Sequence, residues 1–166
     1  MKVVVTEKLK LLYMTDVVDS EFLELARLFC MAEDDVSAYA FEHGIMTNER
    51  EIRKALYREI RTCFGLKAQL TQSVISSVVA RYKTLETKMS EEFLTYETES
   101  GETFRFRKNL DRLTKPVRFL NPQVDLVRNR DFSFLGDGKV VSIATPTGRA
   151  KLRYSMRKDS RLFDPE

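Results

Sequence analysis

The chain has 166 residues, 43% hydrophobic and 32% charged, with few Gly and Pro, which is the composition of one ordinary folded domain or two small ones. No apolar run reaches the ~18 residues of a membrane span, and the start MKVVVTEKLKLLYM alternates rather than forming an apolar block, so no secretory signal is expected. The net charge of +3 is unevenly spread: 14 basic side chains face 4 acidic ones between Arg105 and Lys158, the kind of asymmetry that suggests a polyanionic partner.

Lys2 to Tyr13 is rich in β-branched residues and predicts one strand or two short ones. The period then changes. Phe22, Leu25, Phe29, Ala32, Val36 and Tyr39 recur at helical steps, with Asp19 or Ser20 as cap and Gly44 as stop. Asn48 and Glu51 have capping-box spacing and open a second helix, with Ile52, Leu56 and Ile60 on one stripe and Gly65 at its end. A third helix is expected from about Ala68 to Ser90, with Leu70, Val74, Val78, Tyr82, Leu85 and Met89 on one side. Three helices with short connections should form a small bundle.

After Ser90 strands return. Phe104 and Phe106 alternate with Arg105 and Arg107, and Val117 and Phe119 with Arg118. Asp137-Gly138 is a hairpin signal, and Pro146-Thr147-Gly148 fits a type I turn. The order is β, three helices, then several β: an α+β chain, economically a β-barrel with a helical insertion after its first strand.

Strand parity sorts the charges. Ala150, Leu152 and Tyr154 share one face; Arg149, Lys151 and Arg153 share the other. Phe104 and Phe106 are expected inside, opposite Arg105 and Arg107. Arg128, Arg130, Phe132 and Phe134 would share a face of an unbroken strand. Either a bend near Asn129 separates them, which the polar-out, apolar-in alternation Asp131-Phe132-Ser133-Phe134 favours, or rings and guanidiniums share an exposed face. On the second helix Arg50, Arg53, Lys54, Arg58 and Arg61 fall on one arc, away from the apolar stripe. Lys139 joins the basic set between the last strands. Together these residues predict contact with nucleic acid, with affinity falling steeply with salt.

Residues for catalysis are scarce. His43 is the sole histidine and sits at a helix end, where it reads as a C-terminal cap. There is no P-loop, no GxGxxG and no HExxH. Glu33, Asp34 and Asp35 point about 100° apart on a helix and cannot converge on metals, so a solvated face is expected. Cys30 and Cys63 form no CxxC pair and read as buried thiols of a reducing, cytoplasmic setting. No catalytic residue, metal ligand or cofactor is assigned on this chain.

The run NPQVDLVRNRDFSFLGDGKVVSIATPTGRAKLRY, Asn121 to Tyr154, resembles the amino-terminal half of the TnpB, or OrfB-type, transposon-encoded proteins, relatives of type V CRISPR effectors. The helix text FGLKAQLTQSVISSVVARYKTLE, Phe64 to Glu86, resembles the family segment before it. The resemblance covers about Leu9 to Tyr154. It implies an RNA-guided DNA endonuclease whose first half is a wedge-type, OB-like β-barrel with an inserted helical recognition domain. On that pattern residues 1–18 and 95–158 form the barrel, incomplete here, 19–94 the recognition helices and 159–166 a tail. The implied partners are guide RNA and double-stranded DNA, with pairing reading sequence and protein sensing backbone and shape. Arg128, Arg130, Lys139, Arg149, Lys151 and Arg153 lie in the matching barrel text, and Arg50, Arg53, Arg58 and Arg61 in the matching insertion. The family's RuvC-like nuclease acids and zinc-ribbon CxxC pairs have no positions in this sequence, and the MRKDSRLFDPE ending departs from the family text, as in a truncated or frameshifted frame. Two other readings stand beside it: a regulator that competes with, or represses through, a full-length relative, and a basic module for an acidic protein. An incomplete barrel would leave open edges, which a homodimer could cover.

Overall fold

The computed structural model describes residues 8–12, 14–136 and 139–156. The expected strand residues Val3 to Val5, the Asp137-Gly138 turn and the 159–166 tail lie outside the described residues. The chain is α+β, with three helices and two antiparallel sheets and no closed barrel among the described residues. It divides into two compact units, Met1–Arg27 with Leu126–Glu166, and Leu28–Asp125. Residues 95–125 therefore group with the helices.

The first unit holds a four-stranded sheet. β1 (Lys10–Leu12) pairs with β6 (Arg149–Ser155), β6 with β5 (Val140–Ala144), and β5 with β4 (Phe132–Leu135). The registers Leu11↔Tyr154, Val141↔Leu152 and Phe134↔Val141 put one residue from each strand on a common face. Val141, Leu152 and Tyr154 are buried there, packed by Phe132, Ile143 and Ala150. Val18 and Phe22, from the start of α1 (Asp16–Glu42), cover them. The opposite face carries Arg149, Lys151 and Arg153, as parity predicts.

α1 begins a turn earlier than the expected Asp19 or Ser20 cap. The Thr15 hydroxyl accepts from the Val18 N–H at 3.4 Å, a Thr cap ahead of Asp16. α1 ends in a left-handed Gly44 (φ 65°), with Gly44 N–H bonded to Phe41 and Ile45 N–H to Ala40, which satisfies the last carbonyls. His43 bonds the Tyr39 carbonyl and stacks on the Tyr39 ring.

The second unit contains the rest of α1, α2 (Glu49–Cys63) and α3 (Ala68–Glu91). Asn48 caps α2 by accepting from the Glu51 N–H, and Ile52, Leu56 and Ile60 are its buried stripe; Cys63, the last residue of α2, is off that stripe and exposed rather than buried as expected. α3 buries Leu70, Val74, Ile75, Val78 and Tyr82, while Leu85 and Met89 are only half-buried. A two-stranded hairpin follows, β2 (Phe93–Glu97) paired with β3 (Thr103–Arg107).

The structure corrects three expectations here. Phe104 and Phe106 are not inside: they are 46% and 55% exposed, on the same face as exposed Tyr96. A lone hairpin has no layer to pack on that face. Val117 and Phe119 form no strand. Side chains take the place of a neighbouring strand: Tyr82 Oη accepts from Val117 N–H at 3.1 Å, Ser37 Oγ donates to Val117 O at 2.7 Å, and Asp34 accepts from Phe119 N–H at 2.9 Å. The Cys30 thiol donates to the Phe119 carbonyl. Cys30, Asp34 and Ser37 lie at i, i+4 and i+7, so one face of α1 supplies all three. The acidic trio is therefore no solvated face. Asp34 holds Phe119 and pairs with Arg118 at 3.1 Å, Glu33 is buried, and Asp35 alone is exposed.

Candidate nucleic-acid interface

In the first unit, the basic face of the sheet follows from β6 parity and from the neighbours that register sets. Lys10 on β1 shares this face, opposite Ser155. The four strands carry Lys10, Arg149, Lys151 and Arg153 and no Asp or Glu. Arg149 is committed to its own sheet. Its guanidinium donates to Ser142 Oγ at 2.9 Å, to the Ser142 carbonyl at 3.1 Å and to the Arg130 carbonyl at 3.2 Å. It buries Ser142 and ties β6 to the loop before β4. Lys10, Lys151 and Arg153 are exposed and make no ion pair among the described residues, so their charge is free for an external anion.

The loop ahead of β4 bends where expected. Asn129 has φ 64°, a left-handed position that Asn tolerates. Asp131 differs from its expected outward place: it is buried, and its carboxylate accepts from the Val127 N–H at 2.9 Å. Burial there closes the turn. Arg128 lies over the Phe134 ring at 5.4 Å, and Arg130 and Lys139 are exposed. Thr145 and Gly148 close the Pro146 turn through Thr145 N–H to the Gly148 carbonyl.

In the second unit, all five predicted α2 cations are exposed. Arg50, Arg53, Lys54 and Arg58 line a groove of about 990 Å³ with Tyr57 and, from α3, Gln72. Arg61 does not line it. Tyr57 was missed in sequence, although a 100° step places it in the middle of the cationic arc. A half-buried ring among guanidiniums offers a stacking surface beside phosphate ligands. Glu49, the one acid at the groove, is engaged by Arg53 and by Ser76 at 2.9 Å.

Arg105 and Arg107 are placed differently from the other cations. They lie over the Phe93 ring at 4.0 and 5.6 Å, on the hairpin face away from Phe104 and Phe106. The stacked geometry fixes their guanidiniums against β2.

Among the described residues, no group of three or more His, Cys, Asp or Glu is placed to hold a metal ion, and no helix is long and apolar enough to cross a membrane. Glu33 is the most perturbed acid. Burial pushes its carboxyl up to about 7; the hydrogen bond from Ser77 at 2.6 Å pulls down, and Asp125 and Asp34 push up. Burial likewise raises the Cys30 thiol, with Asp34 and Glu33 adding to it. No protein-family model matches the chain, and comparison with curated proteins and with solved structures gives no match either.

Proposed function

We propose that the chain binds nucleic acid, as the guide-RNA- and target-DNA-gripping portion of a TnpB-type, transposon-encoded protein. Binding, and no cleavage, is the role assigned to this chain. The four-stranded sheet is read as part of a wedge-type, OB-like barrel, and the helices as a recognition domain. The observation that carries the binding role is the outer sheet face: four cations, three of them uncommitted, and no acid on any of the four strands. Arg50, Lys54 and Arg58 around Tyr57 on α2 supply a second surface of the same chemistry. Cations on a strand or helix face meet the regular negative charge of a nucleic-acid backbone, whereas an acidic protein would present scattered carboxylates.

Fluorescence anisotropy with labelled structured RNA and duplex DNA tests this. Each neutralised phosphate contributes about −0.9 to the slope of log K against log salt, so three cations on the sheet predict a slope of about −3 or steeper. No binding, or a slope shallower than about −1, overturns the reading. Displacement of the RNA by an acidic protein, but not by unrelated RNA, would point to a protein partner instead.

A further inference from the structure

The second unit has a groove of about 460 Å³ between α3 and the extended segment around Phe119. Neither wall belongs to the basic faces described above. Ser77, Arg81 and Thr84 project from α3 at i, i+4 and i+7, and the small side chain of Ala80 between them leaves the space open. Arg118, Asn121 and Gln123 form the other wall. That wall is fixed from behind, because Cys30 and Asp34 bond the backbone of Phe119 and Ser37 and Tyr82 bond that of Val117.

The lining chemistry is selective. It has two guanidiniums, two carboxamides and no carboxylate, and its two hydroxyls already donate within the fold, Ser77 to Glu33 and Thr84 to the Ala80 carbonyl. Arg81 makes no ion pair among the described residues, and Arg118 spends one nitrogen on Asp34 while staying 66% exposed. Two guanidiniums suit a phosphate, which they bind with charge-assisted, directional hydrogen bonds. Carboxamides present a donor and an acceptor together, the pattern that matches the edge of a nucleobase. Leu120, 82% exposed at the rim, supplies apolar surface for a ring. The volume falls within the range of about 300–1,000 Å³ typical of small-molecule sites.

We propose that this groove binds one nucleotide unit, with Arg81 and Arg118 on its phosphate and Asn121 and Gln123 on its base. The unit is either a free nucleotide or one nucleotide of a bound strand. Only the strand form rests on the nucleic-acid role proposed above.

The test titrates the full chain with AMP, CMP, GMP, UMP, inorganic phosphate and a labelled single-stranded RNA. At least one mononucleotide should bind with a dissociation constant below about 1 mM, and inorganic phosphate about tenfold more weakly. Arg81→Gln should weaken the mononucleotide by about tenfold or more, and Gln123→Ala should change the preference among the four bases. Lys8→Gln, an exposed position on the other unit, should leave mononucleotide affinity within about twofold. Arg81 and Gln123 are exposed, so unchanged thermal melting of both variants shows that binding, not folding, is being read. Absence of mononucleotide binding, binding that Arg81→Gln does not alter, or phosphate binding as tight as the nucleotide overturns the proposal. RNA binding without mononucleotide binding removes the groove and leaves the nucleic-acid role standing. Mononucleotide binding without RNA binding does the reverse, and leaves a free-nucleotide site.

Discussion

Strands β6 and β3 carry the same kind of text and end in opposite states. RAKLRYS on β6 and TFRFR on β3 both alternate basic and apolar residues. On β6 the apolar side is covered: Leu152 and Tyr154 are 6% and 5% exposed. On β3 every residue is exposed. The difference lies in the neighbours. β6 runs between β1 and β5 under Val18 and Phe22, whereas β3 has β2 as its one strand partner and leaves Phe104 and Phe106 uncovered. Alternation tells which residues share a face; only a second layer decides whether that face is inside.

Truncation reads this contrast most strongly. Leu152→Ala should cost about 2–5 kcal/mol, as buried leucines do, while Phe106→Ala should stay within about 0.5 kcal/mol. Urea unfolding followed by circular dichroism measures both. A Phe106→Ala loss as large as that of Leu152→Ala would mean that the aromatic hairpin face is covered in solution, and the contrast would fail.

Glu33 sharpens the same point on a helix, since its acidic neighbourhood reads as solvated and it is buried instead. Its folded-state pKa, about 7, lies above the ordinary value of 4.5. The folded protein therefore holds this proton more tightly than the unfolded chain does. Its contribution to stability is fully present below about pH 4.5 and is lost as pH rises through about 7. The loss amounts to about 3 kcal/mol at most. Unfolding midpoints at about pH 5 and about pH 8 should show it in the native chain, and Glu33→Gln should flatten the slope. Equal slopes in the two proteins would contradict the burial argument.

A smaller effect is expected at Tyr82. Tyr82→Phe removes the acceptor of the Val117 N–H and a partner of Ser37. It should cost about 1–3 kcal/mol, the penalty for a buried polar group left unmade. A neutral change would show that water replaces the hydroxyl.

The helices were legible because their signals are local. Asn48 with Glu51, Ile52 with Leu56 and Ile60, and Gly44 at a positive φ all act within one or two turns. The basic arc of α2 was legible for the same reason, and Tyr57 lay within reach of the same projection. Other features depend on residues distant in sequence. Phe119 is held by Cys30 and Asp34, separations of 89 and 85 residues that no periodicity reports. Arg149 reads as a free outward cation, yet it is spent on Ser142 and Arg130, because the β5–β6 pairing and the bend before β4 bring those carbonyls within its reach. Its sheet neighbours Lys151 and Arg153 have no such acceptors and remain available.

That last distinction makes the most direct test. The salt dependence of RNA binding should be compared between the native chain and the Lys151→Gln/Arg153→Gln double variant. The account predicts a slope shallower by about two in the variant, one unit for each phosphate contact removed, with folding unchanged. A native chain that does not bind, or a double variant with the native slope, would contradict it.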